Sequence, residues 1–235
     1  MMGTKYNPRV VSSGLLIYLD AANTRSYSGS GVTINNLFSG LGSSLVNGTG
    51  FSSANSGSFF FDATDDYIRL PTTFFNHDSG TPFSVSLWFK TTTTGMLLGQ
   101  ETGATPGTGA GWVPAIYVDT NGKIRTSCFW GGTTTNQSVS TLSVNDNIWH
   151  NITVTFASTS HKSYLDGNLF DTITKTQTSY TAPYYYYLGS GKNTSWTNVG
   201  NMTLSGNISN FLFYTRELSS SEVLQNYNAT RKRYV

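Results

Sequence analysis

Three carboxylates crowd one short turn, where residues 59–70 read Phe-Phe-Phe-Asp-Ala-Thr-Asp-Asp-Tyr-Ile-Arg-Leu. They belong to Asp62, Asp65 and Asp66, although the whole chain has only 12 acidic residues. Clustered carboxylates are typical ligands of calcium, which takes about six to eight oxygens, and Asp20 would be a further ligand. Asp and Thr also close tight turns through hydrogen bonds from side chain to backbone. The sequence leaves both open: a structural calcium ion, or a turn without one.

Aromatic side chains are the second set of candidate binding groups, because ring faces beside polar groups are typical of ligand sites. Trp112 and Trp196 lie in stretches rich in Gly, Ser, Thr and Asn. In the run 184–187, alternate tyrosines of a strand point to opposite faces, so at most two line one exposed surface. An ordinary core or a protein interface is the competing interpretation. The candidate glycan-binding residues are Trp112, Trp130, Tyr185, Tyr187 and Trp196.

The other reactive side chains do not form a catalytic group. Cys128 is the only cysteine, so no intrachain disulfide can form, and its place in a predicted strand indicates a buried, inert thiol. The histidines have no convincing Ser or Cys partner, and His150 is expected to be structural; they are His77, His150 and His161. We therefore predict no catalytic residue and no enzyme.

The composition limits the class of partner. Only 11% of residues are charged and the net charge is +2, too weak a field for binding nucleic acid. No apolar run approaches the roughly 20 residues of a membrane span. No apolar stretch follows the opening residues 1–5, so no signal peptide is expected. Aromatic residues reach 14%, which suits a β-sheet protein whose partners are neutral sugars or other proteins.

Short apolar runs separated by turn residues predict about a dozen strands and a β-sandwich. Residues 84–90 alternate as a half-buried strand, and 21–49 are expected to be mostly loop. Asn121-Gly122 and Asp166-Gly167 are hairpin signals. The predicted strands are 14–20, 58–62, 67–70, 84–90, 96–100, 115–119, 123–130, 148–156, 163–165, 168–173, 184–188 and 207–214.

The two ends of the chain differ from the middle. Ser219 and Glu222 fit a capping box, and Leu218 with Val223 fits a hydrophobic staple, so one helix begins there. Residues 1–13 are predicted to be a free N-terminal arm that binds neighbouring subunits by β-augmentation. Residues 231–235 are predicted to be a basic tail that is solvated, with docking of Arg231–Arg233 on an acidic neighbour as the alternative. With no linker between, residues 14–230 form one sandwich domain.

Four segments, in order, resemble the concanavalin A-like lectin superfamily in its laminin G-like jelly-roll branch. They are 14–23, 61–68, 149–167 and 206–227. The resemblance implies an all-β fold: a two-sheet antiparallel jelly-roll β-sandwich with one short C-terminal helix. It also implies that a calcium ion often lies between edge loops. Glucanases of this superfamily use a Glu-x-Asp-x-x-Glu spacing, which Glu101, Glu217 and Glu222 do not form.

Residues 2–9, Met-Gly-Thr-Lys-Tyr-Asn-Pro-Arg, joined directly to such a domain look like structural proteins of tailed phages. This likeness implies a non-enzymatic virion surface protein, either capsid decoration or fibre, made in the host cytoplasm. Its partners would be other virion proteins, through the arm, and host or environmental glycans. Self-association into a homo-oligomer is left open. The alternative is a stand-alone carbohydrate-binding lectin with no virion role.

Overall fold

The computed structural model describes residues 9–72, 74–75, 81–111, 113–129, 137–175, 184–192, 197–200 and 202–234. They form two eight-stranded sheets and one α-helix, α1 (Ser220–Thr230). In the first sheet lie β1 (Leu15–Asp20), β4 (Gly50–Ser52), β5 (Ser58–Asp62), β7 (Phe83–Thr91), β12 (His150–Ala157), β13 (Ser160–Leu165), β14 (Asn168–Thr174) and β16 (Ser205–Tyr214). In the second lie β2 (Thr33–Ile34), β3 (Ser43–Val46), β6 (Tyr67–Arg69), β8 (Gly95–Glu101), β9 (Ala115–Val118), β10 (Lys123–Ser127), β11 (Gln137–Ser143) and β15 (Tyr185–Leu188). The predicted all-β, two-sheet jelly-roll sandwich with one short C-terminal helix is confirmed.

The strand order brings both ends of the chain to the middle of the first sheet. That order is β14-β13-β12-β7-β16-β5-β4, and β1 also pairs with β16. The second sheet runs β11-β10-β9-β8-β15-β6-β3-β2. Strand β16 thus pairs antiparallel with β1, β5 and β7. Side chains far apart in sequence therefore meet on one sheet face.

The core lies between the inner faces of the two sheets. Strand β7 turns Phe83, Val85 and Leu87 inward, where each is fully buried. The ring of Phe83 lies parallel to that of Phe213, with centroids 5.9 Å apart, and stacks on Phe156 at 5.3 Å. Burying each such ring removes roughly 150–250 Å² from water. The ring of Phe74 connects the two sheets, because it lies 5.0 Å from Phe213 of the first sheet and 4.9 Å from Tyr186 of the second.

Both predicted hairpins are confirmed. Gly122, at φ +71°, closes the turn between β9 and β10, and Asp119 Oδ1 accepts from the backbone N–H of Asn121 at 2.9 Å. Asp166 and Gly167, at φ +51° and +79°, close the turn between β13 and β14. Left-handed backbone at these positions favours Gly, Asn and Asp, which is why the turns were visible in the sequence.

Four strands were not predicted. Residues 21–49, expected to be mostly loop, contain β2 and β3, and the polar segments 50–52 and 137–143 form β4 and β11. None of the four shows apolar alternation, the signal on which strand prediction depends. Strands β3, β4 and β11 pair with the predicted strands β6, β5 and β10, and β2 pairs with β3. Such pairing between strands is not readable from the local sequence.

Strand β7 is buried on both faces, so the prediction of a half-buried strand is wrong. Helix α1 covers one of its outward side chains, Trp88, whose indole N–H donates to Thr230 Oγ1 and whose ring stacks on Tyr227. The helix begins as predicted: Ser219 Oγ accepts from the Glu222 N–H at 3.3 Å, and Glu222 Oε2 accepts from the Ser219 N–H at 2.9 Å. Leu218 and Val223 share one buried cluster, as a hydrophobic staple requires. No helix among the described residues is long and apolar enough to cross a bilayer.

The chain ends also pack on this outer face. The Val11 N–H donates to Asn226 of α1 at 2.8 Å, so the described part of the arm, from residue 9, lies against the sandwich. Residues 1–8 lie outside the described residues. At the other end, Arg233 pairs with buried Asp20 and Tyr234 stacks on Trp88. The prediction of a solvated tail over 231–235 is therefore wrong for these two residues, because they have buried partners on the sheet.

Candidate functional site

A groove of mixed polar and apolar lining opens between the loops that follow β3, β5, β8 and β15. It consists of two adjoining depressions of about 310 Å³ and about 170 Å³, which share Pro106, Ser190 and Thr203. We call it the loop groove, and its walls include Asn47, Asp65, Tyr67, Pro106, Lys192 and Thr203. Its larger part reaches the lower end of the range of ligand pockets, roughly 300–1,000 Å³.

The acidic turn between β5 and β6 forms one end of this groove. One oxygen from each of Asp62, Asp65 and Asp66 lies within 4.8 Å of the others. The Asp62 N–H donates to Asp66 Oδ2 at 3.1 Å, and the Thr64 N–H donates to Asp62 Oδ1 at 2.8 Å. Burial, together with the charges of Asp62 and Asp65, raises the pKa of Asp66. The cluster thus fits a hard cation in part, since its carboxylates supply some of the required oxygens, and it also closes itself by hydrogen bonds.

The structure does not bring Asp20 to this cluster. Its carboxylate is 1% exposed, and both oxygens accept from the Arg233 guanidinium, at 2.7 and 2.9 Å. The Tyr18 hydroxyl also donates to Asp20 Oδ2, at 3.2 Å. Of the predicted metal ligands, the aspartates of the acidic turn are together, whereas Asp20 is committed to an ion pair.

A buried carboxylate holds the loop that forms one wall of the groove. Glu101, at the end of β8, is 0% exposed. Its carboxylate accepts from the backbone N–H of Gly107 at 2.9 Å and of Gly109 at 3.3 Å. Burial raises the pKa of Glu101, and the two backbone hydrogen bonds and the charge of Lys192 oppose that shift. The wall at Pro106 and Gly107 is therefore fixed from beneath.

The two candidate tyrosines lie on the outer face of the second sheet beside this loop. Tyr187 is fully buried; its hydroxyl donates to the Gly103 carbonyl at 2.5 Å, and its ring meets Tyr67 edge-on at 5.4 Å. Burial raises the pKa of Tyr187, so the hydroxyl stays a donor at neutral pH. Tyr185 is partly exposed, whereas Tyr186 belongs to the core. The predicted alternation is confirmed, and Tyr187 supports the loop.

Most of the groove was not predicted from the sequence. Asp65 was a candidate, but Tyr67, Lys192 and Thr203 were not. Tyr67 had a signal, because it opens the strand directly after the acidic turn. Lys192 and Thr203 had none, because a cleft formed by separate loops leaves no local pattern. The candidates Trp112, Trp130 and Trp196 lie outside the described residues and stay predictions.

The two remaining glutamates are engaged in ion pairs elsewhere. Glu217 accepts from the Lys162 ammonium at 2.7 Å. Glu222 accepts from Arg216 at 2.6 Å, and hydrogen bonds from Arg216, which outweigh burial, lower the pKa of Glu222 to about 2.

Burial raises the pKa of the Cys128 thiol, which keeps it protonated and poorly nucleophilic.

The two described histidines have opposite surroundings. His150 lies 2.8 Å from Asp166 and 3.3 Å from Asp146. Burial lowers the pKa of His150, but these two carboxylates outweigh it and raise the pKa. His161 is buried beside Ser138, and burial lowers its pKa to about 4. His77 lies outside the described residues. Neither described histidine faces a nucleophile in an open cleft, so both contribute to structure.

Solved structures of low sequence identity share this fold. Trypanosoma rangeli sialidase in complex with sialic acid matches with a TM-score of 0.68 at 16% identity, over 96% of this chain and 34% of the sialidase chain. The binding domain of Paraclostridial Mosquitocidal Protein 1 matches with a TM-score of 0.65 at 14% identity, over 92% of this chain and 52% of that chain. Domain 4 of AbnA, a GH43 extracellular arabinanase from Geobacillus stearothermophilus in complex with arabinotriose, matches with a TM-score of 0.63 at 14% identity. This match covers 92% of this chain and 98% of the arabinanase domain. The chain thus spans about a third of the length of the sialidase it matches.

Sequence comparison gives the family. No curated protein sequence matches this chain. Residues 62–224 match the sequence profile described as the concanavalin A-like lectin/glucanases superfamily. That span begins in the acidic turn, includes both hairpins and ends within α1. On the strength of this match, the chain belongs to the concanavalin A-like lectin/glucanases superfamily.

Proposed function

We propose that this chain is a non-enzymatic glycan-binding domain and that the loop groove is its binding site. The observation that carries the proposal is the chemistry of the walls. Amide and hydroxyl groups from Asn47 and Thr203 stand beside the apolar surface of Pro106, with Asp65 and Lys192 adding one charge of each sign. Sugar hydroxyls both donate and accept hydrogen bonds, so they need such mixed partners beside apolar surface.

Two further points support this proposal. The Glu101 carboxylate fixes the loop wall before any ligand arrives, and a preformed site loses less entropy on binding. Two structures that contain this fold are complexes with carbohydrate: domain 4 of the arabinanase with arabinotriose, and the sialidase, of which this chain matches 34%, with sialic acid. Those ligands belong to those proteins, and here they only guide the choice of probes.

A binding assay with groove variants tests the site. We expect the chain to bind at least one member of a panel of immobilised oligosaccharides that includes arabinotriose and sialylated glycans. Replacing Lys192 with Ala should weaken that binding roughly 10-fold or more, because a hydrogen bond to a charged group is worth about 1.5–3 kcal/mol. Arg25→Ala, which removes an exposed cation elsewhere, is the matched control. Failure to bind any member would reject the function, and unchanged binding by Lys192→Ala would reject the groove.

We also propose that the chain does not hydrolyse the glycan that it binds. Hydrolysis of a glycoside by paired carboxylates needs two of them about 5–10 Å apart across an open site. Glu101 is buried beneath its loop, and Glu217 and Glu222 are each held by a basic side chain. Release of reducing sugar from a bound oligosaccharide would contradict this part and leave the binding proposal intact.

We further propose that the domain acts on the surface of a tailed-phage virion, as capsid decoration or fibre. The support is the resemblance of residues 2–9, joined directly to a lectin-like sandwich, to phage structural proteins. Detection of the protein in purified particles, with its glycan affinity intact, is the expected result. Recovery of a glycan-binding protein that never accompanies particles would favour the stand-alone lectin instead.

For the acidic turn, we propose closure by its own hydrogen bonds, with a structural calcium ion as the alternative. Asp66 distinguishes the two. Its pKa is raised in the folded state, so the folded chain holds that proton more tightly than the unfolded chain does. Stability from this group is therefore lost as the pH rises above the unfolded value. Without an ion, the ionised Asp66 destabilises the fold at neutral pH.

We expect Asp66→Asn to raise the melting temperature by about 2 °C in the presence of a chelator. Asn keeps an acceptor for the Asp62 N–H and removes the repelled charge. Added calcium should leave the wild-type transition unchanged. If calcium instead raises the wild-type melting temperature and Asp66→Asn abolishes that rise, the turn is a calcium site.

A further inference from the structure

The outer face of the first sheet places a carboxylate, an amide and an indole in one row. Asp20 of β1 pairs directly with Asn210 of β16, and Asn210 pairs directly with Trp88 of β7. Their side chains share the outer face, because Leu19, Phe211 and Leu87 beside them point into the core. With strands about 4.8 Å apart, the row spans roughly 10 Å. That length matches one sugar ring with its substituents.

The C-terminal segment covers both ends of this row. Arg233 donates to both oxygens of Asp20. The ring of Tyr234 stacks on Trp88, with centroids 4.2 Å apart and planes at 25°, and its hydroxyl donates to Ser209 Oγ at 2.7 Å. Arg233 therefore occupies the Asp20 carboxylate and Tyr234 occupies the face of the Trp88 ring, as two parts of one ligand would.

The amide in the middle of the row has no partner among the described residues. Asn210 is 2% exposed, and within that part of the chain neither its amide nitrogen nor its amide oxygen makes a hydrogen bond. The next residue along the row shows the usual state: Asn151 donates to Ser86 Oγ and to the Leu87 carbonyl. Because orphaned buried polar atoms are costly, Asn210 points to a ligand that the tail replaces only in part.

We propose that Asp20, Asn210 and Trp88 form a second saccharide-binding site, which Arg233 and Tyr234 keep closed. A pyranose would stack on Trp88 in place of Tyr234. One hydroxyl would donate to Asp20, and others would both donate to and accept from the Asn210 amide. The site is separate from the loop groove, since it lies on the outer face of the other sheet.

Competition between tail and sugar follows from this geometry, because both require the same indole face and the same carboxylate. The apparent affinity for sugar is then the intrinsic affinity reduced by the small fraction of molecules whose tail is open. Weakening the tail should raise affinity without any new contact to the sugar. Substitutions in the tail should therefore raise the affinity for sugar, whereas substitutions in the loop groove should lower it. This difference in direction distinguishes the two sites.

The test uses the full chain carrying Arg233→Ala and Tyr234→Ala, with methyl β-D-glucopyranoside and methyl α-D-mannopyranoside as probes. Titration is followed through the indole N–H signal of Trp88 by NMR. We expect saturable binding of at least one probe, about tenfold or more tighter than in the intact chain. Adding Asn210→Ala to the open variant should remove that binding. Lys232→Ala, in the same turn, is the matched control and should behave as the intact chain.

A cooperatively folded open variant whose Trp88 signal does not respond to either probe would overturn the proposal, as would binding unaffected by Asn210→Ala. Should the open variant fail to fold, the intact chain supplies the answer. High concentrations of probe should displace the tail and speed hydrogen exchange at the Tyr234 N–H, which is bonded to the Arg231 carbonyl at 2.9 Å. Unchanged exchange for both probes would also overturn it. Loss of glycan binding at the loop groove would leave these outcomes unaffected.

Discussion

Lowering the pH from neutral to about pH 4 should remove about 3 kcal/mol of stability through one side chain, His161. The imidazole is 0% exposed on β13; its Nε2 lies 2.9 Å from Ser138 Oγ, and its Nδ1 has no hydrogen-bond partner in the part of the chain that the structure describes. Burial lowers its pKa from 6.5 to about 4, with the charge of Asp171 opposing the change. The unfolded chain therefore takes up a proton between pH 6.5 and about 4, while the folded chain stays neutral. Stability is full above this window and falls by about 1.4 kcal/mol for each pH unit as the pH drops through it.

Urea unfolding across this pH range checks the expectation with two variants. His161→Gln removes the titrating group, so its stability should fall less steeply on acidification than that of the wild type. His150→Gln is the matched control, because the folded pKa of His150 is raised by Asp166 and Asp146 in spite of burial. The contribution of His150 is full below pH 6.5 and is lost as the pH rises through the folded pKa. An acid slope that His161→Gln leaves unchanged would show that His161 is not the buried neutral group described above.

The sequence predicted the parts of the fold that are encoded locally. Asn121-Gly122 closes a hairpin because left-handed backbone needs such residues, and Ser219 with Glu222 caps α1 because the two groups lie one turn apart. Strand β11 carries no such code: it reads Gln-Ser-Val-Ser-Thr-Leu-Ser and is a strand because β10 pairs with it. Local patterns therefore fix turns and caps, whereas weak strands depend on their neighbours.

The residues of the candidate sites likewise fall into those that the local sequence reveals and those that only the fold brings together. The acidic turn was visible, since its carboxylates fall within five positions. The pairing of Asp20 with Arg233 joins residues 213 positions apart, so neither the commitment of Asp20 nor the docking of the tail could be predicted from spacing. The loop groove likewise draws Asn47 and Lys192 from separate loops and Tyr67 from the start of β6. Charge pairing and clefts belong to the folded surface, and only the topology of the sheets brings them together.

The outer face of the first sheet should prove as important to stability as the core between the sheets. Trp88 is 1% exposed there; its indole N–H donates to Thr230 Oγ1 at 2.8 Å, and Tyr227 and Tyr234 stack on its ring at 5.5 and 4.2 Å. Trp88→Ala removes the surface on which α1 and the C-terminal segment pack. We expect it to lower the free energy of unfolding by about 3–5 kcal/mol, the range for a buried large aromatic residue.

Urea unfolding followed by far-ultraviolet circular dichroism measures this loss without relying on tryptophan fluorescence. Phe60→Ala is the matched control, because Phe60 lies on β5 of the same sheet with 46% of its surface exposed and should change stability by about 0.5 kcal/mol or less. Since native domains are stable by only about 5–15 kcal/mol, the Trp88 loss would be a large fraction of the total. Hydrogen exchange should also quicken across α1 in Trp88→Ala. A cost below about 1 kcal/mol, with α1 still protected, would mean that the helix is held by Leu218 and Val223 at its start rather than by the indole.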